Sequence, residues 1–550
     1  ALWQDLGEGR LSLQLIAITQ VAGDEARSQP FESIVDVRRY LDPGEPRTAV
    51  PELTFVNDRL MVESGSLLLG GDEGRSVVRL DGCVERGEGC EPIAEPLVPL
   101  VPLGEFDRGA GSFAWAPEIA GIRAGQFRGT VTVENHHPDQ TVRTSGSASL
   151  DIELASVALF GPRELSASLG QYVDIEGAGF VDTSPRGATL LRFVGELERE
   201  GDSRPESVDL ILVPHFESGR RLRYVLAEDD ALGSMLDLRA ETAALRGTLQ
   251  PIASFDDDEL VGDEVEVELD VKRVKQVIYL QFTDGYRKSL GLFGMLAADS
   301  LIRQRVVEVI ERDYQGVNLE VRLEPPSDYA LFSTVEVAGA DPNGLGLLGN
   351  DNTPGKDVGN IRLYDRLGGV NAVTQFDGYP GYGGIFIESL FVYSKHPIGD
   401  YRGVDTSATA DPRFDQVFGP VRPDRGGQAL SATDLQTSGL PSSGAGCPAD
   451  SRKGQIECAI WAIGSLIGTT VSHEIGHSLG LADPFGNAFH NFGDRPGRIM
   501  DRGSARSFGE RAELDNQGPG VFCQEHFGYL QTILELDDPV ADPVDRPSCD

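Results

Sequence analysis

Hydrophobic and polar positions alternate in short runs through the first half of the chain, up to about residue 270. Runs such as "RGTVTVEN" (128–135) and "YVDIEGAGF" (172–180) place apolar side chains at every second position and are bounded by Gly, Pro and Asp. An alternation of this kind, broken by turn-forming residues, is typical of half-buried β-strands. The pattern therefore predicts that this half of the chain is all β.

The β-rich half also contains a pattern that occurs twice. Gly187 lies 113 residues after Gly74 in a similar local sequence, and Gly247 lies 118 residues after Gly129. Two matching positions at nearly the same spacing predict a duplicated module of about 115 residues. The alternative is a coincidental similarity between two Gly-rich β segments. We therefore divide this half into two predicted β-sandwich modules, residues 1–155 and 156–270.

The pattern changes after residue 270. A compact apolar run at 274–282 predicts a strand, and apolar positions repeat with helical spacing over 297–314. Further strand patterns follow at 317–323 and 333–339. Because strand–helix–strand order is typical of α/β architecture, the sequence predicts an α/β or α+β domain over 271–550.

A long apolar run near residue 458 continues directly into "VSHEIGHSLGLADPF" (471–485). On a helix, His473 and His477 lie on one face, one turn apart, so both imidazoles can reach a single zinc ion. Glu474 follows the first histidine and projects beside the metal, where it can accept a proton from water. This spacing predicts a zinc site with Glu474 as the general base.

A catalytic zinc ion usually has three protein ligands, and two residues could supply the third. Gly480 suits a sharp exit from the helix, after which the chain would bring Asp483 back towards the metal. His490 is the alternative, with Asp483 then orienting it. A third possibility is that no zinc binds.

"HEIGHSLGLAD" (473–483) resembles the metzincin motif HExxHxxGxxH/D, in which the third ligand lies six residues after the second histidine. The segment "PGRIMDRG" (496–503) resembles the Met-turn of the same family, which would place Met500 beneath the two histidines. Many members have a Tyr two residues after this Met, but the chain has Arg502. The role of that Tyr in stabilising the transition state is therefore not carried over.

The resemblance implies a secreted zinc metalloendopeptidase that hydrolyses peptide bonds through zinc-activated water. It implies His473, His477 and Asp483 as metal ligands, Glu474 as the catalytic base and Met500 as the Met-turn residue. It also implies that an extended substrate pairs with an edge strand, for which residues 383–394 are the candidate. Two rival hypotheses are a non-catalytic adhesion or binding protein with a structural or degenerate zinc site, and a zinc hydrolase acting on a non-peptide substrate.

The N-terminal half carries a second, local resemblance. The segment "VDIEGAGFVD", followed by "GATLLRFVG", resembles the IPT/TIG class of immunoglobulin-like β-sandwiches. This implies that the two N-terminal modules are immunoglobulin-like, so we expect them to bind substrate or a surface, to act as spacers, or to cover the cleft.

The loop over 341–365 is rich in oxygen-bearing side chains among glycines. Hard oxygen donors on a flexible loop suit a structural Ca²⁺ ion, although Asx-rich turns need no metal. Calcium is therefore an expected second cofactor, with Asx turns as the alternative. The candidate residues are Asp341, Asn343, Asn350, Asp351, Asn352 and Asp357.

The net charge of the chain indicates which partners are disfavoured. With 87 acidic and 48 basic residues, the net charge of −39 disfavours nucleic acid and anionic membranes as partners. We expect a monomer that acts on a protein or peptide and does not insert into a membrane. The chain begins without Met, so we expect that a targeting segment has been removed.

The six cysteines lie in three pairs that are local in sequence. We expect the disulfides Cys83–Cys90, Cys447–Cys458 and Cys523–Cys549, which are typical of an oxidising compartment. The alternative is six free cytosolic thiols.

Overall fold

The structure is a computed structural model. It describes residues 8–21, 24–49, 51, 53–87, 89–105, 107–161, 164–202, 204–353, 357–370, 381–481, 495–503, 506–538, 540–542 and 544–549.

The first 155 residues form β-strands and one short helix. The elements are β1 Gly9–Leu15, β2 Ile18–Val21, β3 Asp24–Arg27, β4 Phe31–Val37, β5 Arg47–Ala49, β6 Leu53–Phe55, β7 Arg59–Glu63, β8 Arg75–Arg86, β9 Gly89–Pro92, β10 Leu97–Pro99, β11 Val101–Pro102, β12 Ala110–Ala114, α1 Pro117–Ala120, β13 Gly125–His136 and β14 Val142–Ala155. Strands β1 and β4 form an antiparallel ribbon that β2 and β3 extend.

The other strands of this region form two sheets around one core. One sheet has the order β10-β8-β13-β14-β6, and the other has the order β11-β12-β7-β5. Phe113 and Trp115, at and just after the end of β12, pack with Phe127 of β13 in a shared apolar cluster. Because the alternating apolar positions of both sheets face this cluster, the region is a β-sandwich.

A second sandwich follows. Its strands are β15 Ala158–Gly161, β16 Glu164–Ala167, β17 Tyr172–Ala178, β18 Gly187–Arg199, β19 Glu206–Leu212, β20 His215–Ser218, β21 Arg221–Val225, β22 Ala243–Phe255, β23 Asp258–Val261 and β24 Val265–Val271. One sheet has the order β16-β24-β22-β18-β19, and the other has the order β15-β17-β21-β20. Of the predicted boundaries, 155/156 falls between β14 and β15, and 270/271 falls one residue before the end of β24.

Each of the two sandwiches contains one pair of glycines that lie opposite each other on neighbouring strands. Gly82 of β8 lies opposite Gly129 of β13, and Gly195 of β18 lies opposite Gly247 of β22. A Cβ added to any of the four would lie 2.2–2.4 Å from a carbonyl oxygen of the partner strand, so the close approach requires glycine. The same contact therefore recurs at the spacings noted in the sequence.

The remaining chain combines a mixed sheet with longer helices. Its elements are β25 Gln276–Phe282, α2 Asp284–Leu292, α3 Asp299–Asp313, β26 Leu319–Arg322, β27 Ser333–Ala338, β28 Gly349–Asn350, β29 Arg366–Leu367, β30 Gly369–Val370, β31 Tyr382–Phe386, α4 Pro412–Phe418, α5 Arg452–Ser478, α6 Phe508–Arg511 and α7 Gln524–Ile533. The sheet order is β26-β25-β27-β31-β28, with β28 antiparallel at one edge. The molecule as a whole is mostly β and contains several sheets.

The expected strand over 383–394 is shorter than the sequence indicated and does not lie at the edge. Only Tyr382–Phe386 is a strand, and Ile387–Tyr393 continues as a 3-10 helix. Strand β31 lies between β27 and β28, so its main chain is paired on both sides. The edge is instead formed by β28, because the loop that follows β27 folds back against β31.

Three disulfides join Cys83 to Cys90, Cys447 to Cys458 and Cys523 to Cys549, which confirms the predicted pairing. Disulfides of this kind suggest a secreted or extracellular protein. Within the described part of the chain, no helix is both long and apolar enough to cross a membrane.

Candidate metal centre

Helix α5 carries the two histidines and is buried along most of its length. It begins at Ser451, whose Oγ accepts a hydrogen bond from the Gly454 amide. Two glycines on its α3 side allow the helices to approach closely. A Cβ added at Gly464 would lie 2.6 Å from Arg305 Cβ, and one at Gly468 would lie 2.6 Å from Val309 Cβ. This packing fixes the last turns of α5, where the histidines lie.

The imidazoles of His473 and His477 converge, with their Nε2 atoms 3.1 Å apart. His473 Nδ1 lies 2.6 Å from the carbonyl oxygen of Ile499, and His477 Nδ1 lies 3.1 Å from that of Leu481. A carbonyl oxygen only accepts hydrogen bonds, so each Nδ1 carries the hydrogen and each Nε2 of a neutral ring presents a lone pair.

Two lone pairs at this distance repel each other unless a proton or a metal cation lies between them. Two nitrogen ligands at about 2.0–2.1 Å from a tetrahedral ion would be about 3.3 Å apart, close to the observed separation. The backbone carbonyls also supply the type of hydrogen bond that orients metal-binding histidines. The pair therefore fits a zinc ion held by two Nε2 atoms.

The carboxylate of Glu474 lies beside the histidines and beneath the edge strand β28. A Cβ added at Gly349 would lie 2.5 Å from Glu474 Oε1 and 2.7 Å from its Cγ. Glu474 is only 6% exposed. The strand and the carboxylate are therefore in direct contact, and the absence of a side chain at position 349 makes room for the acid.

Met500 forms a buried floor under this turn of α5. A Cβ added at Gly476 would lie 2.7 Å from Met500 Sδ, so the sulfur fills the space between the two histidine positions. The neighbouring Ile499 supplies the carbonyl that accepts from His473. Met500 therefore packs against the turn of α5 that carries Gly476, and its role as a Met-turn residue stays a prediction.

The chain leaves α5 through Gly480, which has φ = +98°. A Cβ at this position would meet the Tyr529 hydroxyl at 2.5 Å and Val358 Cα at 2.7 Å. Tyr529 also donates a hydrogen bond to the carbonyl of Leu479. Glycine is thus required at the predicted exit. Asp483 and His490, the two candidates for the third ligand, lie outside the described residues.

A cleft of about 950 Å³ opens over the site. One wall is the segment Gly346–Asp351, which includes β28, and the floor includes Thr470, His473, Glu474 and His477. The opposite wall comes from the chain after Met500. Its members are Gly503, Arg506, Ser507, Phe508 and Arg511.

The sequence pattern did not indicate this second wall or the role of Gly349. The one local signal is "SFGE", in which the Ser507 hydroxyl accepts from the Glu510 amide and starts α6. It predicts a helix start but not the burial of Arg506 and Arg511. That burial depends on contacts with segments far away in the chain.

The Asx-rich loop places Asp341 in a hydrogen-bonded turn. Its carboxylate accepts from the Asn343 amide and side chain at 2.9 Å each, and from the amides of Leu345 and Leu347. These bonds account for this residue without a metal. The predicted calcium ion stays a prediction.

Among the described residues, Cys523, His526 and Cys549 form a group with ligand atoms close enough together for a metal. Both sulfur atoms belong to the Cys523–Cys549 disulfide. A disulfide sulfur is not the thiolate that zinc requires. We therefore do not assign a metal to this group.

No known protein family and no curated protein matches the chain. Comparison with solved structures gives partial matches. The chicken CNTN1 FN1–FN3 domains share 8% identity over 43% of this chain and 70% of theirs, with a TM-score of 0.14. Three N-terminal domains of the bacteriophage RB49 outer capsid protein Hoc share 12% sequence identity with this chain. The match covers 48% of this chain and 71% of theirs, with a TM-score of 0.13.

The full extracellular region of plexin A4 shares 7% identity, over 41% of this chain and 27% of its own length, with a TM-score of 0.14. Similarity at this level carries no argument about the fold or the activity.

Proposed function

We propose that this protein is a secreted zinc metalloendopeptidase of the metzincin type. The observation that carries the proposal is the convergence of His473 and His477 Nε2 at 3.1 Å, with both Nδ1 atoms bonded to carbonyl oxygens. Glu474 lies beside them in a cleft large enough for a peptide segment. A purely structural metal site would not require a carboxylate in that position.

In this proposal, His473 and His477 hold the metal, and Asp483 is the third ligand. When bound, zinc would polarise the scissile carbonyl and make a water molecule more acidic. Glu474 would take a proton from that water and deliver it to the leaving amine. Met500 would keep the floor apolar, and the Ile499 and Leu481 carbonyls would hold the imidazoles in the metal-binding tautomer.

The edge strand β28 would orient the substrate. Its outer side forms the wall of the cleft above Glu474, and no described strand pairs with that side. A short extended segment of a peptide could therefore make a few main-chain hydrogen bonds to this two-residue edge. The two β-sandwiches, proposed as immunoglobulin-like, would bind substrate or a surface or act as spacers, in a monomeric protein.

The test is casein hydrolysis by the purified protein, with and without a zinc chelator, together with metal analysis of four variants. We expect the chelator to abolish cleavage. Glu474→Gln should reduce kcat by a factor of about 10²–10⁴ and keep its zinc, because it removes the base and no ligand. His473→Ala should lose both zinc and activity.

The third ligand is tested by Asp483→Ala and His490→Ala. If Asp483 is the ligand, Asp483→Ala loses zinc while His490→Ala retains it. A wild-type protein that binds zinc but cleaves neither casein nor unstructured peptides would contradict the proposal. That result would favour a non-catalytic binding protein, and hydrolysis of esters or glycans alone would favour the non-peptide hydrolase.

A further inference from the structure

Two buried arginines form part of the cleft wall that follows Met500. Arg506 and Arg511 are 3% and 2% exposed, yet both border the cleft that contains His473 and Glu474. Arg511 lies at the end of α6, one helical turn of α5 away from the histidines, beside Thr470. A cationic group is therefore built into the wall close to the proposed reaction centre.

The guanidinium groups are not fully satisfied by the protein. Arg511 donates to Thr470 Oγ1 and to the Gly503 carbonyl, both at 3.3 Å, while its Nε has no hydrogen-bond partner among the described residues. Arg506 donates to Glu510 at 3.0 Å and to the Ile499 carbonyl at 3.5 Å, while its Nη2 finds no partner in the part of the chain that the structure describes. Guanidinium N–H groups are hard to leave unpaired when buried.

The two arginines also differ in charge compensation. Arg506 forms an ion pair with Glu510, whereas Arg511 has no ion pair among the described residues. Burial lowers the pKa of Arg511 and the charge of Arg506 adds to the fall, while Tyr393, Glu510 and Glu474 oppose it from beyond ion-pair distance. Arg511 is therefore a buried cation without a carboxylate partner of its own.

Two other buried arginines are each compensated by a carboxylate. Arg305 pairs with Glu513 at 2.7 Å, bonds to Ser465 and lies over the Trp461 ring. Arg422, which is fully buried, pairs with Asp424 at 2.8 Å. Arg511 differs from both, because it borders the open cleft and has no ion pair among the described residues.

We propose that Arg511, supported by Arg506, forms a subsite for an acidic side chain, so that the enzyme selects substrates with Asp or Glu next to the scissile bond. The proposal rests on the proposed peptidase function, because it names the substrate class of that site. A carboxylate entering between Thr470, Gly503 and Ser507 would supply the missing counter-charge and accept the unpaired N–H groups.

The experiment compares matched peptides that carry Asp, Asn or Lys at each of three positions on either side of a cleavable bond. We expect kcat/KM at one position to favour Asp over Asn by at least about tenfold, since the site is built for charge. Arg511→Gln should bring this ratio close to one. Arg511→Lys keeps the positive charge but lacks the planar guanidinium group that can donate two parallel hydrogen bonds. It should therefore retain part of the preference for Asp over Asn.

The exposed Arg502→Gln is the matched control, because it removes one positive charge from the same segment outside the cleft lining. It should leave the preference unchanged. A second readout does not depend on turnover: calorimetric binding of the Asp and Asn peptides to Glu474→Gln, with and without Arg511→Gln. Thermal unfolding of each variant shows whether it folds. The comparison of Asp and Asn peptides with the wild-type protein does not depend on the folding of any variant.

The outcomes separate the two proposals. Cleavage without a preference for acid overturns the subsite and leaves the peptidase proposal in place. Absence of cleavage, with acid-selective binding that Arg511→Gln abolishes, overturns the peptidase proposal and supports the subsite. Absence of both overturns both proposals.

Discussion

Gly349 limits what can lie next to the Glu474 carboxylate. A methyl group at this position would lie 2.5 Å from Glu474 Oε1, well inside van der Waals contact. Either the acid or the edge strand must move when the residue is enlarged. The position of the proposed base therefore depends on a glycine in a different element.

We expect Gly349→Ala to lower kcat by at least about tenfold, because a displacement of about 1 Å at a reacting group costs rates of that order or more. Zinc content should not change, because no ligand is touched. Metal analysis and peptide kinetics check this. The control is Gly439→Ala, at which an added Cβ meets no atom within 4 Å. Equal activity of the two variants would contradict the expectation.

Asp365 is a buried acid with a pH-dependent effect on stability. Burial raises its pKa to about 7, and the charges of Asp357 and Asp351 add to the rise while Arg362 opposes it. The folded protein therefore holds a proton that the unfolded chain has released between about pH 4 and pH 7. As a result, the free energy of unfolding falls as the pH rises through this range.

Asp365→Asn should remove this loss. At pH 4 the variant and the wild type should differ little in stability, because Asp365 is protonated in the folded protein and still about half protonated in the unfolded chain. At pH 8 the variant should be more stable, by at most about 4 kcal/mol at about 1.4 kcal/mol per pKa unit. Urea unfolding at the two pH values measures the difference, and a difference that does not change with pH would refute the argument.

The local part of the site could be predicted from the sequence. The spacing of His473, Glu474 and His477 fixes their relative placement on any helix, and Gly480 was predicted from the need for φ > 0. Arg511 and Gly349 could not be predicted, because their roles come from contacts with segments more than 40 residues away in the chain. No local pattern encodes such a contact.

At the level of elements, the contact between α3 and α5 determines where the histidines lie. Gly464 and Gly468 are one turn apart and both face α3, so the two helix backbones lie unusually close. A helix interior normally favours Ala over Gly by about 1 kcal/mol. At these positions packing outweighs that preference.

We therefore expect Gly468→Ala to destabilise the protein by about 1–3 kcal/mol, since its methyl group would lie 2.6 Å from Val309 Cβ. Gly528→Ala in α7 is the matched control. It is exposed and meets no atom within 4 Å, so it should be neutral or stabilising by up to about 1 kcal/mol. Denaturant unfolding compares them. A stabilising Gly468→Ala would show that the helices are further apart than described.

Elements with a clear period were more predictable than apolar runs without one. The alternation in the sandwich strands indicates a strand, and the helical spacing over 297–314 indicates a helix. The structure contains α3 at Asp299–Asp313. The run at 383–394 is mostly apolar and has no clear period, so period alone does not separate a strand from a helix. It divides into β31 and a 3-10 helix, both almost entirely buried.

At the scale of the whole molecule, the disulfides close loops of different length. Cys523–Cys549 spans 26 residues and Cys83–Cys90 spans 7. Arg498, which lies two residues before Met500, donates a hydrogen bond of 2.7 Å to the carbonyl of Cys549. The C-terminal segment is therefore tied to the chain that forms the floor of the site.

Removing the disulfide that closes the longer loop should lower the free energy of unfolding more than removing the other. Chain-entropy arguments give a loss of about 3.5 kcal/mol for the Cys523→Ser/Cys549→Ser double variant and about 2.4 kcal/mol for Cys83→Ser/Cys90→Ser. Unfolding should be followed separately in each region, because a chain of several sheets need not unfold in one step. A larger loss from the shorter loop would show that contacts of the folded state, and not loop closure, dominate.

The short edge strand β28 has a consequence for inhibitor design. Only Gly349 and Asn350 have strand geometry at this edge, so it offers few main-chain groups to a peptide-like compound. A long strand mimic would gain little affinity from it. A compact compound that joins a zinc-chelating group to a carboxylate arm directed at Arg511 would use the charged features of the cleft instead.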